Sequence, residues 1–235
     1  MLWYKAWLET RWRFVFMLGS VLLVWLAPQW LPSLGFRLPP GVPASRLWMA
    51  IHLGSVLLYI VAANFLAGSG VNSQTTYAAT SGFHGSMLFT LSLPVSRRRL
   101  LLVRAGLGAL QTGVLVAIMA VYTLFHLPGG ASTFQALEYI ARAIICTIAV
   151  YALSVLLACV LDEMWQFYAA CSCWIAFYLL QSRFAFVSWI SPLRGMSLFS
   201  YPVTAPMPWA PVAASLALAG VFLCASVLVL QRKEY

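Results

Sequence analysis

Asp162 and Glu163 are the only adjacent carboxylates in this chain. Paired carboxylates serve as general acid and base, and inside a membrane such a pair would define an intramembrane hydrolase. No histidine motif on a neighbouring apolar run accompanies them, so capping a tight, water-exposed turn is the simpler role. Cys171 and Cys173 form a C-x-C, but residues two apart on a helix point to nearly opposite sides. Together with Cys146, Cys159 and Cys224 they lie in apolar stretches without metal-ligand or disulfide spacing, and are read as packing residues. Neither H-E-x-x-H nor G-x-S-x-G occurs. A phosphate-binding loop needs a lysine behind a glycine-rich turn, and the only lysines are Lys5 and Lys233. The expectation is therefore no catalytic, cofactor-binding or metal-ligating residue. If ATP drives this protein, the ATPase is another chain.

A second set of polar residues sits inside apolar runs, where polarity is expensive. These are His52, Asn64, Gln111 and Arg142. Each either hydrogen-bonds between helices or lines a path for a substrate. Arg142 is expected to snorkel outwards or to pair with Glu138 one turn earlier.

The elements that position these residues follow from composition. Of 235 residues, 63% are apolar and 8% charged, against about 25% charged in a soluble domain. The class is an all-α integral membrane protein. The net charge of +9 does not indicate nucleic acid, because the basic residues fall at the ends of apolar runs. Six spans are expected: Phe14–Trp30, Leu47–Ala67, Leu100–Phe125, Tyr139–Leu161, Met164–Gln181 and Val212–Leu230. Asp162 and Glu163 leave room only for a tight hairpin between the fourth and fifth. Ala105, Ala109 and Gly113 form a small-xxx-small stripe that admits a close helix.

Orientation follows from the basic residues. Lys5, Arg11, Arg13, Arg97, Arg98, Arg99, Arg104, Arg232 and Lys233 fall on one side, and Arg37, Arg46, Arg142, Arg183 and Arg194 on the other. The nine-to-five bias places both termini in the cytoplasm. The N-terminus carries Glu9 and three tryptophans before its apolar run, and reads as a retained anchor rather than a cleaved signal. Residues 1–13 are expected to form an amphipathic elbow helix in the interface plane, with Trp3, Trp7, Thr10 and Phe14 opposite Lys5, Glu9 and Arg13. Gly68 to Ser86 is an uncharged Gly/Ser/Thr/Asn linker. Residues 182–211 are too apolar for a free loop and too interrupted for a span, so an external re-entrant element is expected.

The most specific stretch is Phe89-Thr90-Leu91-Ser92-Leu93-Pro94-Val95-Ser96-Arg97-Arg98-Arg99. Proline pushes Leu93 out of the α region, ending one helix and allowing another to begin, with Ser96 as its cap. Arg97, Arg98 and Arg99 are expected to anchor the following helix at the lipid headgroups. The run resembles the L-P-V-S-R-x-x-L segment of ABC-2 type transporter permeases, and Tyr4 to Phe14 is similar to the N-termini of that family. The resemblance implies one transmembrane domain over 1–235, with elbow, six spans, a cytoplasmic coupling helix at 85–95 and a re-entrant element before the last span.

It also implies a multi-pass subunit of a plasma membrane (the inner or cell membrane of a bacterium), paired with a second copy as a homodimer. Two copies of a cytosolic ABC ATPase would bind the ATP and Mg. In such a complex Ser86, Met87, Phe89, Thr90, Leu93 and Pro94 would contact the ATPase. Met49, His52, Leu53, Val56 and Asn64 of span two, with Trp174, Phe177 and Tyr178 of span five, would line an apolar path for exported hydrophobic or amphipathic cargo. An intramembrane enzyme, or a structural or assembly membrane protein without ATP coupling, is the alternative.

Overall fold

The computed structural model describes residues 2–30, 44–67, 96–125, 132–161, 163–198 and 200–232. Among the described residues there are eight helices and no strand: α1 (Leu2–Trp30), α2 (Ala44–Ala67), α3 (Arg97–Phe125), α4 (Thr133–Ala158), α5 (Glu163–Arg183), α6 (Ala185–Trp189), α7 (Pro192–Met196) and α8 (Trp209–Arg232). The expected coupling segment, with Ser86, Met87, Phe89, Thr90, Leu93 and Pro94, lies outside the described residues. So do the linker before it, Asp162, and the side chains of Met49, His52, Leu53 and Arg97.

Three stretches, Arg98–Phe125, Thr133–Ala158 and Trp209–Arg232, are long and apolar enough to cross a membrane. Trp165–Arg183 with Ala185–Met196 is a fourth if the bent pair counts as one span. The chain is an α-helical membrane protein.

α4 is the hub, packed against α2, α3, α5, α7 and α8. Its alanines at 143, 149, 152 and 158 are buried, and their small size lets neighbouring helices approach. It starts earlier than Tyr139 because Ser132 and Gln135 form a capping box. The Gln135 N–H donates to Ser132 Oγ at 3.3 Å, and the Ser132 N–H to Gln135 Oε1 at 3.0 Å. At its other end the N–H groups of Val160 and Leu161 return to the Leu157 carbonyl at 3.0 and 2.8 Å. Only residues 159–162 then separate α4 from α5, a tight connection.

At the N-terminus the structure departs from the expected elbow. Residues 2–13 and 14–30 form one unbroken helix of 29 residues. No proline or glycine interrupts residues 2–18, so nothing in the chain breaks the hydrogen-bond ladder there. The expected aromatic face is also split. Ala6, Thr10, Met17 and Val21 turn inwards, while Trp3 and Trp7 are exposed.

α3 opens at Ser96, whose Oγ accepts the Arg99 N–H at 3.3 Å. Its small residues serve unequally. A Cβ on Gly113 would rest 3.7 Å from Ile144 of α4, an ordinary contact, whereas one on Gly108 would collide with the Tyr151 hydroxyl. The close approach of α3 and α4 is therefore at Gly108 rather than at the end of the expected stripe.

Between α5 and α8 the chain folds back. Phe184 is extended, α6 and α7 follow, and the pair α5 with α6–α7 is bent by 115°. Ser191 caps α7, its Oγ accepting the Arg194 N–H at 3.5 Å, and also bonds Gln181 at the end of α5. α7 is pressed onto α4: Leu193 and Met196 are buried, and a Cβ on Gly195 would lie 2.5 Å from Cys146 Sγ. Phe184, Phe186 and Trp189 remain exposed.

Candidate functional site

Two groups of buried polar side chains hold the helices together. Their centres on α4, Ser154 and Arg142, are twelve residues apart, or about 18 Å along the helix.

The first group surrounds the end of α2. A helix leaves its last four carbonyls without partners of its own, and here other helices supply partners for two of them. Gln166 Nε2 of α5 donates to the Asn64 carbonyl at 3.2 Å, and Arg13 of α1 donates to the Phe65 carbonyl at 3.4 Å. The Arg13 guanidinium also sits over the Phe65 ring, 5.5 Å from its centroid. The Asn64 side chain takes the centre of the group. Its Nδ2 donates to Cys171 Sγ at 3.6 Å, and its Oδ1 accepts the Ser154 hydroxyl. Ser154 Oγ is also 3.0 Å from the Val150 carbonyl oxygen. Asn64, Ser154 and Gln166 are each buried. Four neutral side chains and one arginine thus join α1, α2, α4 and α5 at the point where α2 ends.

The second group is built on a charge. Arg142 of α4 is only 3% exposed. It donates through Nη2 to the Tyr201 carbonyl at 2.9 Å and is flanked by the rings of Tyr139 and Tyr201, at 5.3 and 5.9 Å from their centroids. Arg194 lies over the Tyr201 ring as well, at 5.9 Å, and bonds Ser188. The Tyr139 hydroxyl meets that of Tyr59 at 3.5 Å, and nearby Ser55 meets Thr123 at 3.3 Å. The hydrogen bond of the buried Arg142 thus goes to Tyr201, while Glu138 one turn earlier acts on it only as a nearby charge. The folded-back segment brings a carbonyl and an aromatic face to it, which together can hold a desolvated cation.

The expected path residues whose side chains are described lie in different surroundings. Asn64 is spent on the first group. Trp174 is 5% exposed, stands edge-on to Phe177 at 5.7 Å between ring centroids, and its Nε1 has no hydrogen-bond partner. Val56 and Phe177 are half-buried against the core, and Tyr178 is exposed. Asn64 and Trp174 are linked through α5, since Cys171 lies one turn before Trp174. Arg98 and Arg99 are exposed at the start of α3, and the six coupling residues lie outside the described segments.

Sequence reasoning passed over Ser154, Gln166 and the tyrosines, and gave Arg13 and Thr10 only places on the two faces of the expected elbow helix. Thr10, Ser154 and Gln166 carried the same signal as Asn64, a polar side chain in a helix running through apolar surroundings. Gln111 Nε2 donates to Thr10 Oγ1 at 2.8 Å, so both members of that α1–α3 pair were legible. Among the described residues no group of three or more His, Cys, Asp or Glu could hold a metal ion. No family model, curated protein or solved structure matches the chain.

Proposed function

We propose that this chain is the membrane subunit of an ATP-driven exporter of the ABC-2 permease type. In this reading it has six spans, both termini in the cytoplasm, and works as a pair with two cytosolic ATPase subunits that hold ATP and Mg. Six long helices overlap the expected spans, and the two short helices α6 and α7 fall within residues 182–211, which supports this reading. The observation that carries the reading is the start of α3. A serine-capped helix opens immediately behind Leu93-Pro94-Val95, with Arg98 and Arg99 exposed at its mouth.

The polar clasp on α2 gives this reading a mechanical basis. The segment between α2 and α3 would be displaced when the ATPases close on ATP. Because Arg13 and Gln166 hold the last carbonyls of α2, movement of that helix end is shared with α1 and α5. ATP shifts the helices only through different affinities of the ATPase pair for the two arrangements. The chain's own residues then contribute positioning and no covalent step. Hydrophobic or amphipathic cargo fits the scarcity of charge on α2 and α5.

Phe89 is the largest apolar side chain of the coupling segment, and its truncation tests the proposal. Phe89→Ala should weaken co-purification of the ATPase by about 1–3 kcal/mol, a usual cost for losing an interface anchor. Membrane insertion should remain normal. Undiminished ATPase recovery together with unchanged cargo-stimulated hydrolysis would overturn the assignment.

A further inference from the structure

We infer that a cleft between α1 and α3 is a binding site for an anionic phospholipid, with the headgroup phosphate held by Arg98 and Arg99. The cleft has a volume of about 260 Å³ and is lined by Trp3, Ser96, Arg98, Arg99, Leu102 and Val103. Its chemistry is graded along α3. Arg98 stands four residues before Leu102, and Arg99 four before Val103, so each arginine lies directly above an apolar side chain on the same stripe. One helical turn, about 5.4 Å, separates the cationic rim from the apolar floor. That matches a ligand with an anionic group joined at once to hydrocarbon. Both arginines are exposed, as are Trp3 and Leu102, so the cleft opens to the surroundings of the helix bundle. Among the described residues that line it none is acidic and two are cationic.

The far wall is fixed by a glycine. The tip of the Trp3 indole would lie 3.3 Å from a Cβ built on Gly106, and nothing else but that ring lies within 4 Å. The indole therefore rests on the bare backbone of α3, and a bulky side chain at 106 would displace it. The cleft is thus defined by shape as well as by charge, and shape separates a lipid site from general attraction of arginines to an anionic surface. This inference does not depend on the transport reading, because it needs only that this end of α3 meet the membrane surface.

Native mass spectrometry of the full-length protein in detergent, given phosphatidylglycerol or phosphatidylcholine, tests it. The expected result is retention of phosphatidylglycerol with about tenfold preference, in keeping with two arginines near an anionic headgroup. Arg98→Ala with Arg99→Ala should abolish the preference. So should Gly106→Leu and Trp3→Ala, which keep every charge. Trp3→Ala changes an exposed side chain and provides the shape test if Gly106→Leu fails to fold. Arg232→Ala, at an exposed arginine outside the cleft, should leave the preference intact. Loss of preference in the arginine variant alone, with both shape variants unaffected, would reduce the site to surface charge and overturn the inference. Equal loss in Arg232→Ala, displacement of the lipid by millimolar inorganic phosphate, or no preference in the native protein would each overturn it as well.

Discussion

The Asn64 group and the Arg142 group solve the same problem by opposite means. Around Asn64 the buried side chains are neutral, small and mutually bonded, and they complete a helix end. Around Arg142 a full charge is buried and held by two tyrosine rings and one carbonyl. Removing a partner from a neutral group costs a hydrogen bond in surroundings that still offer others. Removing a partner from a buried charge exposes the desolvation penalty of that charge. The two regions should therefore differ in how much each tolerates, with the Arg142 region the more brittle.

The largest effect is expected at Tyr139. Tyr139→Leu keeps most of the volume but removes one face from Arg142 and the bond to Tyr59. It should cost about 3 kcal/mol in detergent-unfolding titrations, combining a desolvated cation–π contact with a lost hydrogen bond. Adding Arg142→Met should recover part of that loss, giving a coupling of at least about 1 kcal/mol in a double-mutant cycle. Strict additivity would break the comparison.

Next comes Gly195, where α7 presses on α4. Gly195→Ala should cost about 1–3 kcal/mol through overpacking against Cys146 Sγ. Cys146→Ala in the same chain should remove the larger part of the penalty, leaving Pro211 Cβ at 3.3 Å as the tightest neighbour and the Cβ of residue 146 at 3.7 Å. A Gly195→Ala cost that persists undiminished beside Cys146→Ala would show that the contact is not what seats α7.

The smallest effect belongs to the neutral group. Asn64→Leu should cost only about 1 kcal/mol, within the range measured for hydrogen bonds between membrane helices. Ser154 retains the Val150 carbonyl, and Gln166 still reaches the main chain of residue 64. A loss as large as that of Tyr139→Leu would erase the distinction between the two ends.

How far each region was legible follows from how local its causes are. The helices over residues 97–125, 133–158 and 209–232 are dictated by runs of apolar residues, and the Ser96 cap by its own neighbours. The Ser132-Gln135 box was equally local, and it moves the start of α4 six residues ahead of the expected Tyr139. Asn64 was recognisable as a polar residue needing partners, though which partners depended on α4 and α5 arriving beside it. The environment of Arg142 was not legible, because its acceptor lies 59 residues away in a segment that reverses direction. The continuity of α1 was misread for a different reason. Amphipathic patterning reports which face a helix buries and carries no signal of a bend unless a helix-breaking residue accompanies it.

The clasp on α2 also sets an order of events during synthesis. Gln166 follows Asn64 by 102 residues, so the ribosome needs on the order of 5–20 s to supply it at about 5–20 residues per second. Throughout that interval the Asn64 carbonyl must be satisfied by water or by another part of the nascent chain. α2 is thus made early but finished late, and its final lock is delivered by the fifth helix to be made.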